Sequence, residues 1–343
     1  MKGKYNFILS GVAPINNPTE TFFGILNCDD KSTLEIPKMY PFRGEWGKPT
    51  GTYLCIQDKF PMPQKLDMVW LSISEHRFYS IEQTLHTQKF ENIWEDHNNK
   101  HTTTPFEYIV IGMAPYGKVA IWFYGIEKSV IVDWFEGKEI DVSMGDFLPD
   151  NPYISLYDYC NSYHNILVNN QLLHDIFDKY MQQFTYRYLM LFEYWDNDNE
   201  TWQNYSDEET IPVFDYIEEA LFDGTHDKLH DGGLMNYHQA GKPKKLAVQW
   251  HIKKSEYTAY FWFEDEKIRA IFDRFYGAHP ETKTDFMIRI DSDNKKYELA
   301  LYRYGLKEPQ VISDSAYQLI VFKNKFECYR SENYNQPKGA WIW

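Results

Sequence analysis

Two pairs of histidines carry the spacing most suggestive of chemistry. His226 and His230 stand four apart in DGTHDKLHDGG, with Asp223, Asp227 and Asp231 close by. On a helix this spacing would put both imidazoles on one face, where ring nitrogens and a carboxylate could hold a zinc-type ion. The glutamate of an HExxH pattern is missing, however, and Gly224, Gly232 and Gly233 favour a loop. His97 and His101 share the spacing in an equally polar run. Surface histidines are the simpler reading of both pairs. The run Asp196–Glu200, DNDNE, offers calcium-type oxygens but lacks the glycine and distal glutamate of a hand-type loop. There is no GxSxG elbow, no glycine-rich phosphate loop and no cysteine in a nucleophile signature. No catalytic residue, metal or cofactor is therefore expected.

Charge gives a stronger signal. No Lys or Arg occurs between Arg187 and Lys228, an interval that holds twelve carboxylates. Trp195, Trp202, Tyr205 and other aromatics are interleaved with them. A solvated acidic loop is one reading. The other is a face for a basic protein partner, in which aromatic rings anchor while carboxylates steer association and pair with Lys or Arg. On that reading the contact residues are Glu193, Trp195, Asp196, Asp198, Glu200, Trp202, Tyr205, Asp207, Glu208 and Glu209.

The whole chain leans the same way. Its 343 residues carry 50 Asp+Glu against 35 Lys+Arg, a net charge of −15, which argues against nucleic-acid or anionic-membrane partners. Cys28, Cys55, Cys160 and Cys328 are scattered with no CxxC pair, as free thiols in a reducing compartment would be. The N-terminal MKGKYNFILSGVAP has too short an apolar run for a secretory signal, and no stretch approaches the ~20 apolar residues that span a bilayer. The expected location is cytoplasmic.

The elements that must position these residues come in two similar sets. Tyr108–Ile111 and Val119–Tyr124 read as strands of a hairpin turning through Pro115 and Gly117. Before them come strands near Tyr5–Ser10, Thr21–Leu26, Leu66–Ser72 and Phe78–Ile81. A short helix spans Thr87–Glu95, with Phe90, Ile93 and Trp94 on its apolar face, and stops at the polar HNNKH. Leu172, Leu173, Ile176, Phe177, Tyr180, Met181 and Phe184 form a helical stripe. Then the order returns 180 residues on. Pro63, Lys65, Leu66 and Trp70 recur as Pro243, Lys245, Leu246 and Trp250, and Phe106, Ala120, Tyr124 and Gly125 as Phe286, Ala300, Tyr304 and Gly305. The expected fold is α+β. It comprises two tandem antiparallel-sheet-plus-helix repeats, residues 1–150 and 186–343, joined by a helical connector over 151–185.

SGVAP (Ser10–Pro14), the Gly44–Gly47 segment around Trp46, LDMVWLSISEHRFY (Leu66–Tyr79) and EYIVIGMAPYGKVAIWFYG (Glu107–Gly125) resemble a bacterial family known only as domain of unknown function 2931. The resemblance covers roughly residues 5–145, and the second half looks like a diverged second copy. Members are often lipoproteins, whereas this sequence shows neither the signal nor a lipid-accepting cysteine. The family has no established catalytic residues to carry over. In size, acidity and lack of catalytic signatures the chain is similar in type to the immunity proteins encoded beside antibacterial toxins. The expected function is thus a cytoplasmic immunity protein that occludes a basic toxin domain without turnover. The alternatives are a metal-dependent hydrolase using the His226/His230 region, or a small-ligand or carbohydrate module in which Trp46, Trp202 and Trp341 line one cleft.

Overall fold

A computed structural model describes residues 3–38, 42–50, 53–54, 59–163, 176–204, 212–230 and 236–335. The protein is a sheet-dominated α+β chain that divides into two compact units. Unit 1 is Met1–Lys179 together with Asp223–Thr225; unit 2 is Tyr180–Phe222 and His226–Trp343.

Unit 1 contains β1 (Ile8–Val12), β2 (Thr19–Cys28), β3 (Thr33–Glu35), β4 (Tyr53–Leu54), β5 (Pro63–Ser72) and β6 (Arg77–Thr84). These are followed by α1 (Thr87–Lys100), β7 (Phe106–Met113), β8 (Lys118–Gly125), β9 (Lys128–Glu136) and β10 (Lys138–Ile140). Two short helices complete it, α2 (Met144–Phe147) and α3 (Leu156–Asn161), each opened by a serine side chain that accepts a backbone N–H three residues on. The strands form two runs, β9-β8-β7-β1-β4 and β10-β6-β5-β2-β3. The expected hairpin is β7–β8, and its eight-residue strands are buried almost throughout, as central strands covered on both faces are. Its turn places Tyr116 and Gly117 at φ 63° and 73°. Phe90 and Trp94 of α1 pack edge-on against Phe123. Gly47 and Gly224, both at positive φ, approach so closely that a Cβ on either would strike the other's backbone. Beside them the Trp122 indole N–H donates to the Asp223 carbonyl at 3.1 Å.

α4 (Ile176–Met181) straddles the division at Tyr180, where unit 2 begins. There follow β11 (Phe184–Asp196), β12 (Thr201–Asn204), β13 (Val213–Leu221), β14 (His226–His230), β15 (His238–Ala240), β16 (Pro243–Ile252), β17 (Ser255–Phe263) and α5 (Asp265–Tyr276). The last strands are β18 (Thr284–Asp291), β19 (Tyr297–Tyr302), β20 (Gln310–Ile312), β21 (Tyr317–Lys323) and β22 (Phe326–Arg330). Its runs are β22-β21-β17-β16-β13-β14 and β12-β11-β18-β19-β20, with β15 also on β11. Ile268 and Phe272 of α5 are fully buried, and Phe272 meets Phe184 and Phe286. Lys242 is wholly buried, its Nζ 3.5 Å from Asp273 and 3.3 Å from Gln182 Oε1; burial holds this ammonium below the ordinary lysine range.

Several expectations need correction. The sheets are not purely antiparallel: β1 runs parallel to β7, and β11 to β18. Such pairs join segments far apart in sequence, so adjacent-strand reasoning misses them. Helix α1 continues through the polar run to Lys100 because His97 faces inward. Its ring stacks on Phe106, and the Asn98 amide caps the Phe106 backbone. His97 is therefore buried rather than on the surface. Phe184 belongs to β11 instead of a helical stripe, while Leu172 and Leu173 lie outside the described residues. Of the described cysteines, Cys28 and Cys160 are buried, Cys328 is exposed, and all three are free thiols.

Candidate functional site

The acidic interval is mostly strand. β11 leaves the centre of its sheet and pairs antiparallel with β12, setting Trp195 opposite Trp202 and Asp196 opposite Thr201. The two indoles meet edge to face at 5.2 Å, and the Lys296 ammonium lies over both rings. Burial against them holds the Lys296 ammonium below the usual lysine range, with Glu298 the foremost charge pushing it back up. The tip of this ribbon is organised by Asp196. One carboxylate oxygen accepts the N–H groups of Asp198 and Asn199, and the other accepts the Asn199 side chain at 2.7 Å. The Asn199 bond leads in holding the Asp196 carboxyl below its ordinary range. Glu200 completes the turn in the left-handed region, φ 50°. Both Asp196 oxygens thus serve the turn itself. Among the described residues no three His, Cys, Asp or Glu groups come together as metal ligands.

Below the tip, the chain's own cations reach the acidic strand. Glu193 lies 3.3 Å from Arg289, which also holds Glu298 at 2.7 Å. Burial raises the Glu193 carboxyl in spite of that guanidinium. Glu218 pairs with Lys228 at 3.2 Å and Asp215 with His251 at 3.0 Å. Glu219 is inside the core, accepting a 2.6 Å hydrogen bond from the Tyr188 hydroxyl and standing 3.6 Å from His238. Burial pulls the His238 ring down, yet Glu219 outweighs it and the ring holds its proton above the ordinary histidine range. Asp223 is also buried and caps Thr225. The interval is therefore not bare of counter-charge. These partners lie on β14, β15, β16 and β18, outside the window in which the sequence lacks Lys and Arg.

Of the ten expected contact residues, Trp195, Asp196, Asp198, Glu200 and Trp202 share the ribbon, whereas Glu193 is tied down beneath it. Tyr205, Asp207, Glu208 and Glu209 lie outside the described residues. His226 and His230 sit on strand β14, where four residues span about 13 Å, too far for one ion. That overturns their helical metal geometry and also the loop expected around them. Trp46 packs on Trp122 and Phe177 in unit 1, Trp202 belongs to unit 2, and Trp341 lies outside the described residues.

Composition and charge did not point to a feature beside the ribbon. A cavity of ≈ 270 Å³ in unit 2 is bounded by Phe192, Ile252 and Tyr257 on its apolar side and by Ser292, Asp293 and Asn294 of the β18–β19 turn.

Fold and site together define a sheet-dominated α+β protein of two compact units with an acidic, tryptophan-bearing ribbon on the second. The family described as "Protein of unknown function (DUF2931)" matches residues 42–213, half of the chain, and the chain belongs to that family. The match starts later than the expected resemblance and runs past it, through the ribbon to the first residue of β13. No curated protein and no solved structure matches the chain.

Proposed function

We propose that this chain is a non-catalytic cytoplasmic protein that binds and blocks a basic protein partner, as immunity proteins do their toxins. The observation that carries this reading is the ribbon tip. Asp196, Asp198 and Glu200 crowd one turn directly beyond the Trp195–Trp202 pair, whose anchoring rings are only half-buried. Because Glu193 is engaged internally and both Asp196 oxygens serve the turn, the contact set among the described residues narrows to Trp195, Asp198, Glu200 and Trp202. Blockade is steric and electrostatic, with carboxylates steering a cationic surface onto the tryptophans.

The scaffold is proposed to be a tandem repeat. The pairing order β10-β6-β5-β2-β3 has the counterpart β21-β17-β16-β13-β14, and β9-β8-β7-β1-β4 the counterpart β20-β19-β18-β11-β12. Buried Trp70 stacks on its cross-strand partner Tyr79, and buried Trp250 on its cross-strand partner Tyr257. Those matches support duplication more strongly than the sequence identities alone.

Calorimetry of the full chain against the product of the adjacent gene at low salt tests the function. A complex is expected, and Asp198→Lys/Glu200→Lys weakens it by about tenfold or more, with a shallower salt dependence. Absence of a complex, or one indifferent to this double variant, removes the proposal.

A further inference from the structure

We propose that the Trp195–Trp202 clamp on the ribbon is a recognition site for an arginine side chain of a protein partner, and that Lys296 is the placeholder that fills it when the partner is absent. This rests on the partner-blocking reading and names the group recognised. The clamp already holds a cation. The half-buried Lys296 carries its ammonium directly over the Trp195 ring and 5.9 Å from the centroid of Trp202. β12 sets the second indole opposite the first, 5.2 Å away and inclined at 67°, so one cation is within reach of both rings. Nothing else grips it. Among the described residues the ammonium donates no hydrogen bond and forms no ion pair, although Glu298, Asp314, Glu200 and Asp291 act on it through space. An ammonium is strongly hydrated, and three N–H donors without acceptors make a seat against indoles a costly one.

Arginine is the cation that gains by an exchange. Its guanidinium is planar, stacks on an indole face and is more weakly hydrated than an ammonium, while its N–H edges stay open to carboxylates. Such carboxylates stand beside the clamp. Asp198 and Glu200 are exposed in the turn between the two tryptophans, and neither side chain is paired among the described residues. Lys296, released, recovers its water. A partner's lysine gains nothing from replacing ammonium by ammonium, and it meets a tethered competitor at an effective concentration on the order of millimolar. The placeholder thereby sets specificity, admitting arginine and turning lysine away.

The test uses the full chain with N-acetyl-arginine methylamide, N-acetyl-lysine methylamide and the uncharged N-acetyl-citrulline methylamide, read by calorimetry and by the indole N–H resonances of Trp195 and Trp202. The arginine probe is expected to bind the unsubstituted protein about tenfold or more tightly than either of the others. Lys296→Ala removes the competitor, so arginine affinity rises about tenfold and the lysine probe gains too. Lys296→Arg keeps a cation over the indoles and lowers arginine affinity below that of the unsubstituted protein. Should Lys296→Ala loosen the ribbon, Lys296→Arg decides alone: a fall supports the proposal and unchanged affinity overturns it. No binding of the arginine probe to any of the three proteins, or citrulline binding as tightly as arginine, also overturns it. The probes act without the partner, so the two readings fail separately. If the adjacent gene product does not bind a chain that shows this order of affinities, the blocking function falls and the arginine site stands; a complex with a chain that lacks the order removes the clamp alone.

Discussion

Tyr188→Phe removes a single oxygen from the core of unit 2 and tests whether Glu219 is a structural charge. The Tyr188 ring is 1 % exposed and Glu219 3 %, so no water replaces the 2.6 Å hydrogen bond that is lost. A hydrogen bond to a charged group contributes about 1.5–3 kcal/mol, and the orphaned carboxylate puts the expected loss near 2 kcal/mol. His238 makes that loss depend on pH. Its folded proton affinity is raised, so its pairing with Glu219 is fully present below the unfolded value of about 6.5 and fades as pH rises through the folded one. The loss should therefore be about 2 kcal/mol at a pH above the folded value and roughly half that near pH 5.5, where His238⁺ still faces the carboxylate. Urea unfolding followed by circular dichroism reads this as a midpoint shift of about 1 M at the higher pH with an unchanged slope. A loss below about 0.5 kcal/mol, or one equal at both pH values, would refute the reasoning.

Gly47→Ala forces a Cβ into the Gly224 carbonyl at φ 84° and should destabilise unit 1 by about 3 kcal/mol or more, read by thermal unfolding; Gly44→Ala, with a neighbour at 3.3 Å, costs clearly less. Lys242→Met replaces a desolvated ammonium by an apolar chain of similar length, and should leave stability at neutral pH unchanged or raise it by about 1 kcal/mol. Because the folded lysine binds its proton less tightly than the unfolded one, the native protein gains stability as pH climbs through the folded value towards about 10.4; the variant should lack that alkaline gain in urea titrations.

The sequence made the central hairpin legible because an unbroken apolar run can be satisfied only in the middle of a covered sheet. The 180-residue recurrence likewise picked out β5 and β16, whose bounds differ by that interval. The acidic interval was misread because charge was counted along the chain while neutralisation happens across a sheet. Arg289 reaches Glu193 from a parallel strand almost a hundred residues away, and Lys228 faces Glu218 from the next strand of the ladder. The alternation Ile217, Glu219, Leu221 was a usable strand signal, but a glutamate on the core side breaks the apolar pattern unless Tyr188 and His238 are known to receive it. The cavity left no trace because a vacancy arises from what turns fail to fill.

The two parallel pairs bear on how the chain is made. Ile8 joins Tyr108 and Tyr186 joins Thr284, so the opening strand of each unit must wait for roughly a hundred further residues. At ribosomal speeds of about 5–20 residues per second, that wait is on the order of 5–20 s. Under the proposed repeat, each strand meanwhile presents an unpaired edge to a docking position that the other unit also offers. Exchange of the two opening strands, with β11 seated on β7 or β1 on β18, is the characteristic misassembly of such an architecture. Synthesis that completes β7 well before β11 emerges keeps the first docking position occupied when its competitor arrives.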